Sequence, residues 1–180
     1  MRAKSRLVIV ASRAVFALAL TFACAHGFAR DAAAAPGVDI GGERVTPRHL
    51  TLADLAKMVP RSEVRASAHG DAAVWSGVPL IDVLKSAGAP TGDAARGPAL
   101  ALYVRVTAAD GYRAVFALAE LDPGIGHANV ILADRKDGQP IDGKEGPFRL
   151  IASGDARPAR WVRQVIAIDV LSAPERAASP

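Results

Sequence analysis

The sequence predicts an α+β fold: a single domain of mixed, mostly antiparallel strands with a few short helices. Short apolar runs separated by turns containing Asp-Gly or Gly predict strands joined by hairpins. Two segments with apolar residues at helical spacing precede most of these runs. Short helices placed before several antiparallel strands are typical of an α+β domain. With 51% hydrophobic residues, the 180-residue chain can bury one core.

Two short helices are predicted in the first half of the chain. The first starts at Thr51, in a capping-box-like Thr-Leu-Ala-Asp sequence, and Pro60 stops it. The second starts at Pro79, and Gly88 is placed to end it. The residues at helical spacing are Leu52, Leu55, Ala56 and Val59 in the first helix, and Leu80, Val83 and Leu84 in the second, where they are expected to face the core.

The predicted strands follow the apolar and alternating runs. Asp110-Gly111 is a tight turn between two of them, and Asp137-Gly138 and Asp142-Gly143 are further turns. Residues 89–98, rich in Gly, Pro and Ala, are predicted to form a loop. The strands are expected at 38–45 (a strand or a hairpin around Gly41-Gly42), 63–68, 100–107, 112–118, 130–133, 148–152 and 165–170.

The first 25 residues have the pattern of a secretion signal. Four basic residues and no acid precede an apolar run over 14–25, which is short for a membrane span. We expect cleavage near Ala25 or nearer Ala35, and export to the periplasm or beyond. The alternative is an uncleaved anchor, since Leu7 to Val10 lengthens the apolar stretch. Residues 26–37 and 173–180 are predicted to be disordered, which leaves 38–172 as the folded domain.

The charge balance excludes a general nucleic-acid-binding surface. The chain has 22 Lys and Arg against 18 Asp and Glu, and the first 25 residues contain four of the basic residues. A mature protein would therefore have 18 of each, so only local clusters can attract an anion. Cys24 is the only cysteine and lies in the predicted signal, which rules out a disulfide framework or a thiolate ligand in the mature domain.

A cluster of arginines near the C-terminus predicts an anion-binding site. The span from Gly146 to Val165 has Asp155 as its only acid, and apolar runs flank it. The planar guanidinium offers several donors to phosphate or carboxylate. The alternative is structural pairing with Asp155, Glu145 or Asp169. The arginines of the cluster are Arg149, Arg157, Arg160 and Arg163.

Several motifs resemble the molybdopterin-binding domain of the sulfite oxidase type of oxidoreductase. They are Trp75-Ser76-Gly77-Val78-Pro79-Leu80-Ile81-Asp82-Val83-Leu84, Asp110-Gly111-Tyr112, Gly146-Pro147-Phe148-Arg149-Leu150 and the basic-Trp-hydrophobic segment at Arg160-Trp161-Val162. They occur in the family's order over most of the mature chain. The resemblance implies the sulfite oxidase molybdopterin-binding fold and an oxidoreductase ancestry. It is also the only basis for molybdopterin as a cofactor.

The sequence departs from the family pattern at the position of the metal-binding cysteine. The family places a molybdenum-binding cysteine just before the W-x-G-V-P-L segment, and Ala68 stands at the matching position. Alanine has no donor atom, so the ordinary thiolate-ligated centre is not available. His69 is the candidate replacement as a ligand or proton carrier, and a solvated loop histidine is the alternative. No metal-binding spacing of histidines or cysteines supports a metal site.

The remaining candidates each have a simpler structural explanation. Asp110 can serve the hairpin turn, and Tyr112 can belong to the core. Trp75 and Trp161 are predicted to be core aromatics whose N–H needs a partner. The resemblance implies that basic residues near the last motif hold a pterin phosphate, and Arg160 aligns with one of them. No catalytic residue is assigned; the candidate ligand-binding residues are His69, Asp110, Tyr112, Arg149, Arg160 and Arg163.

We therefore expect a secreted or periplasmic binding or accessory module that lacks the usual molybdenum-thiolate centre. One alternative is an active redox enzyme subunit that leaves the metal to His69, a partner or solvent. Another is a structural or interaction domain without a cofactor. The expected partners are an anionic small molecule or pterin phosphate and a redox partner protein, with no nucleic acid and no membrane after signal cleavage. The absence of an Arg-Arg pair in the signal implies export unfolded and favours the cofactor-free form.

Overall fold

Two five-stranded sheets make up the framework of the domain, in a computed structural model that describes residues 35–68 and 70–175. These residues belong to one compact unit. The predicted signal, most of the two predicted disordered ends and His69 lie outside the described residues. Within those ranges, no helix has the length and apolar character needed to cross a membrane.

The first sheet contains both ends of the folded domain. Its order is β2-β1-β10-β5-β6, and β1 runs parallel to β10 while the other neighbours are antiparallel. The first and last strands therefore pair at the centre of the sheet, which makes β2 and β6 its edges. The strands are β1 (Gly37–Gly42), β2 (Arg48–Thr51), β5 (Leu102–Ala108), β6 (Arg113–Ala117) and β10 (Val165–Ser172).

The second sheet is antiparallel throughout. Its order is β3-β4-β7-β8, and β9 also pairs with β7. All four residues of β9 are buried, although this strand pairs with β7 alone among the described strands. The strands are β3 (Ser62–Ala66), β4 (Ala73–Pro79), β7 (Val130–Lys136), β8 (Gln139–Pro140) and β9 (Arg149–Ala152).

The helices are short and connect the strands. They are α1 (Leu52–Lys57), α2 (Leu80–Ser86) and α3 (Leu118–Leu121), with 3-10 helices at Gly92–Ala94, Gly97–Ala101 and Pro158–Arg160. The capping box of α1 is confirmed, since Asp54 N donates to Thr51 Oγ1 at 3.2 Å and Thr51 N donates to Asp54 Oδ2 at 3.1 Å. In α2, Leu80, Val83 and Leu84 are buried as predicted.

One local prediction was wrong, because Val59 does not extend α1 and is 82% exposed; a residue before proline disfavours the helical conformation. Of the two alternatives for residues 38–45, the strand is confirmed, since Gly41 and Gly42 pair with β10 and the turn to β2 lies at residues 43–47. The strand β4, which contains Gly77, was not predicted. A Cβ at Gly77 would approach Leu132 O to 2.2 Å, so the glycine allows β4 to lie against β7.

The predicted α+β fold, with mixed and mostly antiparallel strands, is confirmed. One continuous apolar cluster joins the two sheets and α2. Its members include Val104, Val106 and Ile168 from the first sheet, Ile131, Leu132 and Leu150 from the second, and Leu80 and Leu84 from α2. This shared core fixes the ends of strands from both sheets next to one another, and those ends form the walls of the pocket described below.

Candidate functional site

A pocket of about 440 Å³ lies where segments from both sheets meet. We call it the arginine pocket. The second sheet contributes β3, β4, the end of β7 and β9, and the first sheet contributes the β5–β6 hairpin. The 3-10 helix Pro158–Arg160 and the chain after it complete the wall. The lining residues with charged or aromatic side chains are Asp71, Trp75, Asp110, Tyr112, Lys136, Glu145, Arg149, Trp161 and Arg163.

Arg149 is the most unusual residue of the arginine pocket, because this charged residue of the buried strand β9 is only 5% exposed. Its Nη1 forms an ion pair with Glu145 Oε1, but the hydrogen bond is poorly directed. Its Nε and Nη1 are buried, and neither makes a hydrogen bond of good geometry to the described residues. Buried donors of this kind are rare and call for an explanation such as a ligand, an ion or a water molecule.

Two tryptophans hold the Arg149 guanidinium from the sides. The Cζ atom of Arg149 lies 4.7 Å from the ring centre of Trp75 and 5.9 Å from that of Trp161. The two rings pack edge to face, with centres 6.4 Å apart. Trp75 Nε1 donates to Ala66 O at 3.3 Å and Trp161 Nε1 donates to Ala152 O at 2.8 Å, which confirms that both are core aromatics with a partner for the N–H. The sequence analysis missed that they also line a pocket.

Glu145 bridges two cations of the arginine pocket. Its carboxylate pairs with Arg149 and accepts a hydrogen bond from Lys136 Nζ at 3.3 Å. Lys136 in turn lies 5.0 Å from the Trp75 ring centre. Partial burial alone would raise the pKa of Glu145, but the neighbouring Arg149 and Lys136 outweigh it and hold that pKa below its ordinary value. Glu145 is therefore an anion at neutral pH. The pairing of Arg149 with Glu145 is the structural alternative that the sequence offered, whereas the contact with Lys136 was not predicted.

Asp110 and Tyr112 reach the arginine pocket from the β5–β6 hairpin. Tyr112 N donates to Asp110 Oδ1 at 2.9 Å and Gly111 has φ of 85°, so Asp110 does serve the tight turn. Tyr112 is 49% exposed and is therefore not the core residue considered as its alternative role. Its hydroxyl donates to Ala159 O, which ties the hairpin to the opposite pocket wall.

The structure separates Arg160 from Arg163. Arg163 is exposed and lines the arginine pocket together with Ala68. Arg160 is not among the lining residues. Its Nη2 and Nε donate to Asp155 at 2.6 and 2.9 Å, and its Nη1 donates to Glu120 at 3.0 Å. The alternative of structural pairing thus describes Arg160, and we leave it out of the site proposed below.

His69, one of the predicted ligand-binding residues, lies outside the described residues. Its neighbour Ala68 lines the arginine pocket, and Ser67 Oγ donates to Gly70 O at 2.5 Å. Among residues 35–68 and 70–175, no cluster of three or more histidine, cysteine or carboxylate side chains is arranged to hold a metal ion. The described pocket thus brings together Asp110, Tyr112, Arg149 and Arg163 of the predicted ligand-binding residues.

Comparison with known proteins agrees with this architecture. The family model described as the oxidoreductase molybdopterin binding domain matches residues 30–178. The sulfane dehydrogenase SoxCD from Paracoccus pantotrophus has a similar structure, with a TM-score of 0.59 over 76% of this chain. The identity is 19%, so this similarity shows the fold alone.

The chain spans 38% of the length of that SoxCD chain. No curated protein matches the sequence. The family match, in contrast, covers the whole described domain, including all four segments on which the predicted resemblance to the sulfite oxidase type rests. The chain therefore belongs to the oxidoreductase molybdopterin-binding domain family.

Proposed function

We propose that this domain is an exported, periplasmic ligand-binding or accessory module of its family. In this proposal, the arginine pocket binds an organic anion, and the protein supplies no thiolate to a molybdenum centre. The single observation that carries the proposal is Arg149, a buried guanidinium in a pocket wall whose Nε has no acceptor among the described residues and whose Nη1 has only the ion pair with Glu145. A carboxylate or phosphate in the pocket would offer this guanidinium a further acceptor.

The donor set of the pocket suits the anionic organic part of a molybdopterin better than its metal. Arg149, Arg163 and Lys136 are cations that can hold a phosphate. On the side of β3 and β4, the side chains of Ala66, Ala68 and Ala73 have no donor atom, and Asp71 of the connecting loop supplies a carboxylate but no thiolate. The only cysteine of the chain, Cys24, precedes the described domain. A protein-ligated metal centre of the usual kind therefore does not fit the residues described here.

Export is supported by the N-terminal sequence alone. The basic start, the short apolar run and the small residues near Ala25 are those of a cleaved signal. Because the signal has no Arg-Arg pair, a cofactor would be acquired after export. A periplasmic module that binds a small anion directly does not require insertion of a bulky cofactor in the cytoplasm.

An active molybdopterin-dependent redox subunit is the second candidate. The family match over residues 30–178 favours it, and the cationic pocket side chains would hold the pterin phosphate. Such a subunit would also need an electron partner protein, and its metal would rely on His69, a partner or solvent. A structural domain without any ligand is the third candidate, and the buried Nε of Arg149, which has no acceptor among the described residues, argues against it.

Metal analysis combined with pterin fluorescence, on protein purified from its native envelope, tests the proposal. We expect less than stoichiometric molybdenum. Sequencing of the N-terminus should find a start between His26 and Pro36 in the soluble envelope fraction. Stoichiometric molybdenum would establish the redox subunit instead, and a retained Met1 in the membrane fraction would contradict export as a soluble protein.

A further inference from the structure

Glu145 occupies the space that the anionic group of a ligand would need. Its carboxylate lies between the Lys136 ammonium, at 3.3 Å, and the Arg149 guanidinium. These two cations are also those that lie over the Trp75 ring. A carboxylate or phosphate entering the arginine pocket would seek the same donors. Glu145 is thus a competitor that belongs to the protein itself.

We infer that Glu145 gates the arginine pocket as an internal competitor, and that the ligand is a small organic anion which takes over Arg149 and Lys136 when the Glu145 side chain turns away. This inference rests on the proposed function of the pocket as an anion site. It adds the ligand class and the residue that limits the affinity. It requires no metal and no change in covalent bonds.

The surroundings of Glu145 allow such a movement without unfolding the loop. Its backbone is held at both ends of the residue, because Glu145 N donates to Asp142 O at 3.2 Å and Gln164 N donates to Glu145 O at 3.0 Å. The side chain is 27% exposed. A rotation of the side chain alone can therefore free the two cations, and rotamer changes of this kind are fast.

The geometry at Arg149 favours a ligand anion over Glu145 in this competition. Its ion pair with Glu145 leaves the buried Nε and Nη1 without well-directed acceptors. An anion with two or more oxygens can approach a guanidinium in a bidentate manner, which a side chain anchored at Glu145 does not achieve here. Exchange of the Glu145 carboxylate for a ligand oxygen pair on Nη1 and Nη2 would give Nη1 a well-directed acceptor.

The charge of the pocket wall also favours competition between Glu145 and a bound anion. The described lining has three cations, Lys136, Arg149 and Arg163, and three acids, Asp71, Asp110 and Glu145. Replacement of Glu145 by glutamine changes the formal net charge of these six side chains from zero to plus one. A bound anion would then no longer be repelled by a carboxylate at the same two cations.

Tryptophan fluorescence provides a direct test. The chain has two tryptophans, and both line the arginine pocket. Full-length protein is titrated with phenyl phosphate, whose phosphate suits the cations and whose ring suits an aromatic wall, and with inorganic phosphate at constant ionic strength. We expect Glu145→Gln to bind phenyl phosphate about tenfold more tightly than the wild type, since a like charge beside the ligand is removed.

Glu120→Gln is the matched control. It removes one carboxylate from the same protein, but Glu120 pairs with Arg160 outside the pocket lining. This variant should bind phenyl phosphate as the wild type does. The neutral analogue benzyl alcohol should bind Glu145→Gln no better than the wild type, which separates relief of repulsion from the mere opening of space.

A thermal melt of each variant checks that it is folded. If Glu145→Gln does not fold, Glu145→Asp replaces it, because its carboxylate is one methylene further from Arg149 and should bind phenyl phosphate more tightly than the wild type. Unchanged or weaker affinity in the folded Glu145 variant, or no binding by any variant, overturns the gating by Glu145. Pterin that copurifies with the native protein would still support the proposed function in that case.

Discussion

Arg149 and Arg160 belong to one arginine cluster in the sequence, and their surroundings in the folded domain are opposite. Arg149 is 5% exposed on the buried strand β9 and keeps buried donors without well-directed acceptors. The Arg160 side chain is 36% exposed, and its guanidinium donates to Asp155, Glu120 and the carbonyl of Val115. The guanidinium also lies 4.2 Å from the Phe116 ring centre.

The two arginines differ in how much of their hydrogen-bonding capacity the protein itself uses. Arg160 has acids on two sides and stabilises the contact between the 3-10 helix Pro158–Arg160, β6 and α3. Its hydrogen-bonding capacity is used within the protein. Arg149 stands at the wall of a pocket with capacity left over, and a buried donor without an acceptor costs free energy unless a ligand or water satisfies it.

The largest effect is expected from Arg149→Met. This change removes the buried guanidinium but keeps a long apolar side chain between Trp75 and Trp161. The affinity for phenyl phosphate should fall by about 1.5–3 kcal/mol, the range for hydrogen bonds to charged groups. Arg160→Met, which removes the same charge outside the pocket lining, should retain wild-type affinity. Calorimetric titration of the two variants measures the difference, and equal losses would remove the distinction between the two arginines.

Arg160→Ala should act on stability and not on binding. The change removes an exposed ion-pair network and a cation–π contact, so the free energy of unfolding should fall by about 1–2 kcal/mol. Arg160→Lys should lie between the wild type and the alanine variant, because an ammonium cannot reproduce the paired hydrogen bonds to Asp155. Urea unfolding gives these values. Weakened phenyl phosphate binding without lost stability would assign Arg160 to the ligand after all.

Tyr112→Phe tests the tie between the two pocket walls. The variant loses the hydroxyl that donates to Ala159 O and leaves that half-exposed ring in place. Because one neutral hydrogen bond is lost, the free energy of unfolding should fall by about 0.5–1.5 kcal/mol. Hydrogen exchange should become faster in residues 157–161 and unchanged in β1. Uniformly unchanged exchange would show that this bond does not position the wall.

The smallest effect concerns the opposite edge of the first sheet. His49 in β2 contacts Asp39 Oδ1 at 2.7 Å and Ala35 O at 2.9 Å. The Asp39 hydrogen bond, followed by that to Ala35, raises the pKa of His49 above its ordinary value of 6.5. The folded state thus binds its proton more tightly than the unfolded state, and the stabilisation is present below that value and lost as pH rises through the raised pKa.

A slight decrease of the melting temperature from about pH 6 to about pH 8 is therefore expected for the wild type. Asp39→Asn should flatten this slope because the main cause of the raised pKa is removed. If the slope persists in Asp39→Asn, another titrating group is responsible. This exposed pair, like Arg160, concerns stability at a sheet edge, whereas Arg149 and Glu145 concern the pocket.

Much of the fold could be predicted because its signals are local. The capping box at Thr51 and Asp54, and the Asp110-Gly111 turn, depend on residues close in sequence, and both are present in the structure. The strand β4 escaped prediction because Gly77 and Pro79 weaken its pattern, and the close packing against Leu132 that requires Gly77 is a tertiary contact.

The site was predictable only in part, because it too depends on tertiary contacts. Arginine residues beside apolar runs indicated an anion site near Arg149, Arg160 and Arg163. In the structure, Arg149 is buried and pairs with Glu145. Arg160 pairs with Glu120, which comes from an element distant in sequence. The resemblance to the family supplied the segments that form the pocket, but it did not indicate the bridge from Glu145 to Lys136.

A crystal structure of the protein with phenyl phosphate tests the central claim most directly. The account predicts the phosphate group in the arginine pocket, against the Arg149 guanidinium, with the Glu145 side chain turned away from Lys136 and the pairing of Arg160 with Asp155 and Glu120 unchanged. A phosphate bound at Arg160, or an arginine pocket in which Glu145 still bridges Arg149 and Lys136 at saturating phenyl phosphate, would contradict it.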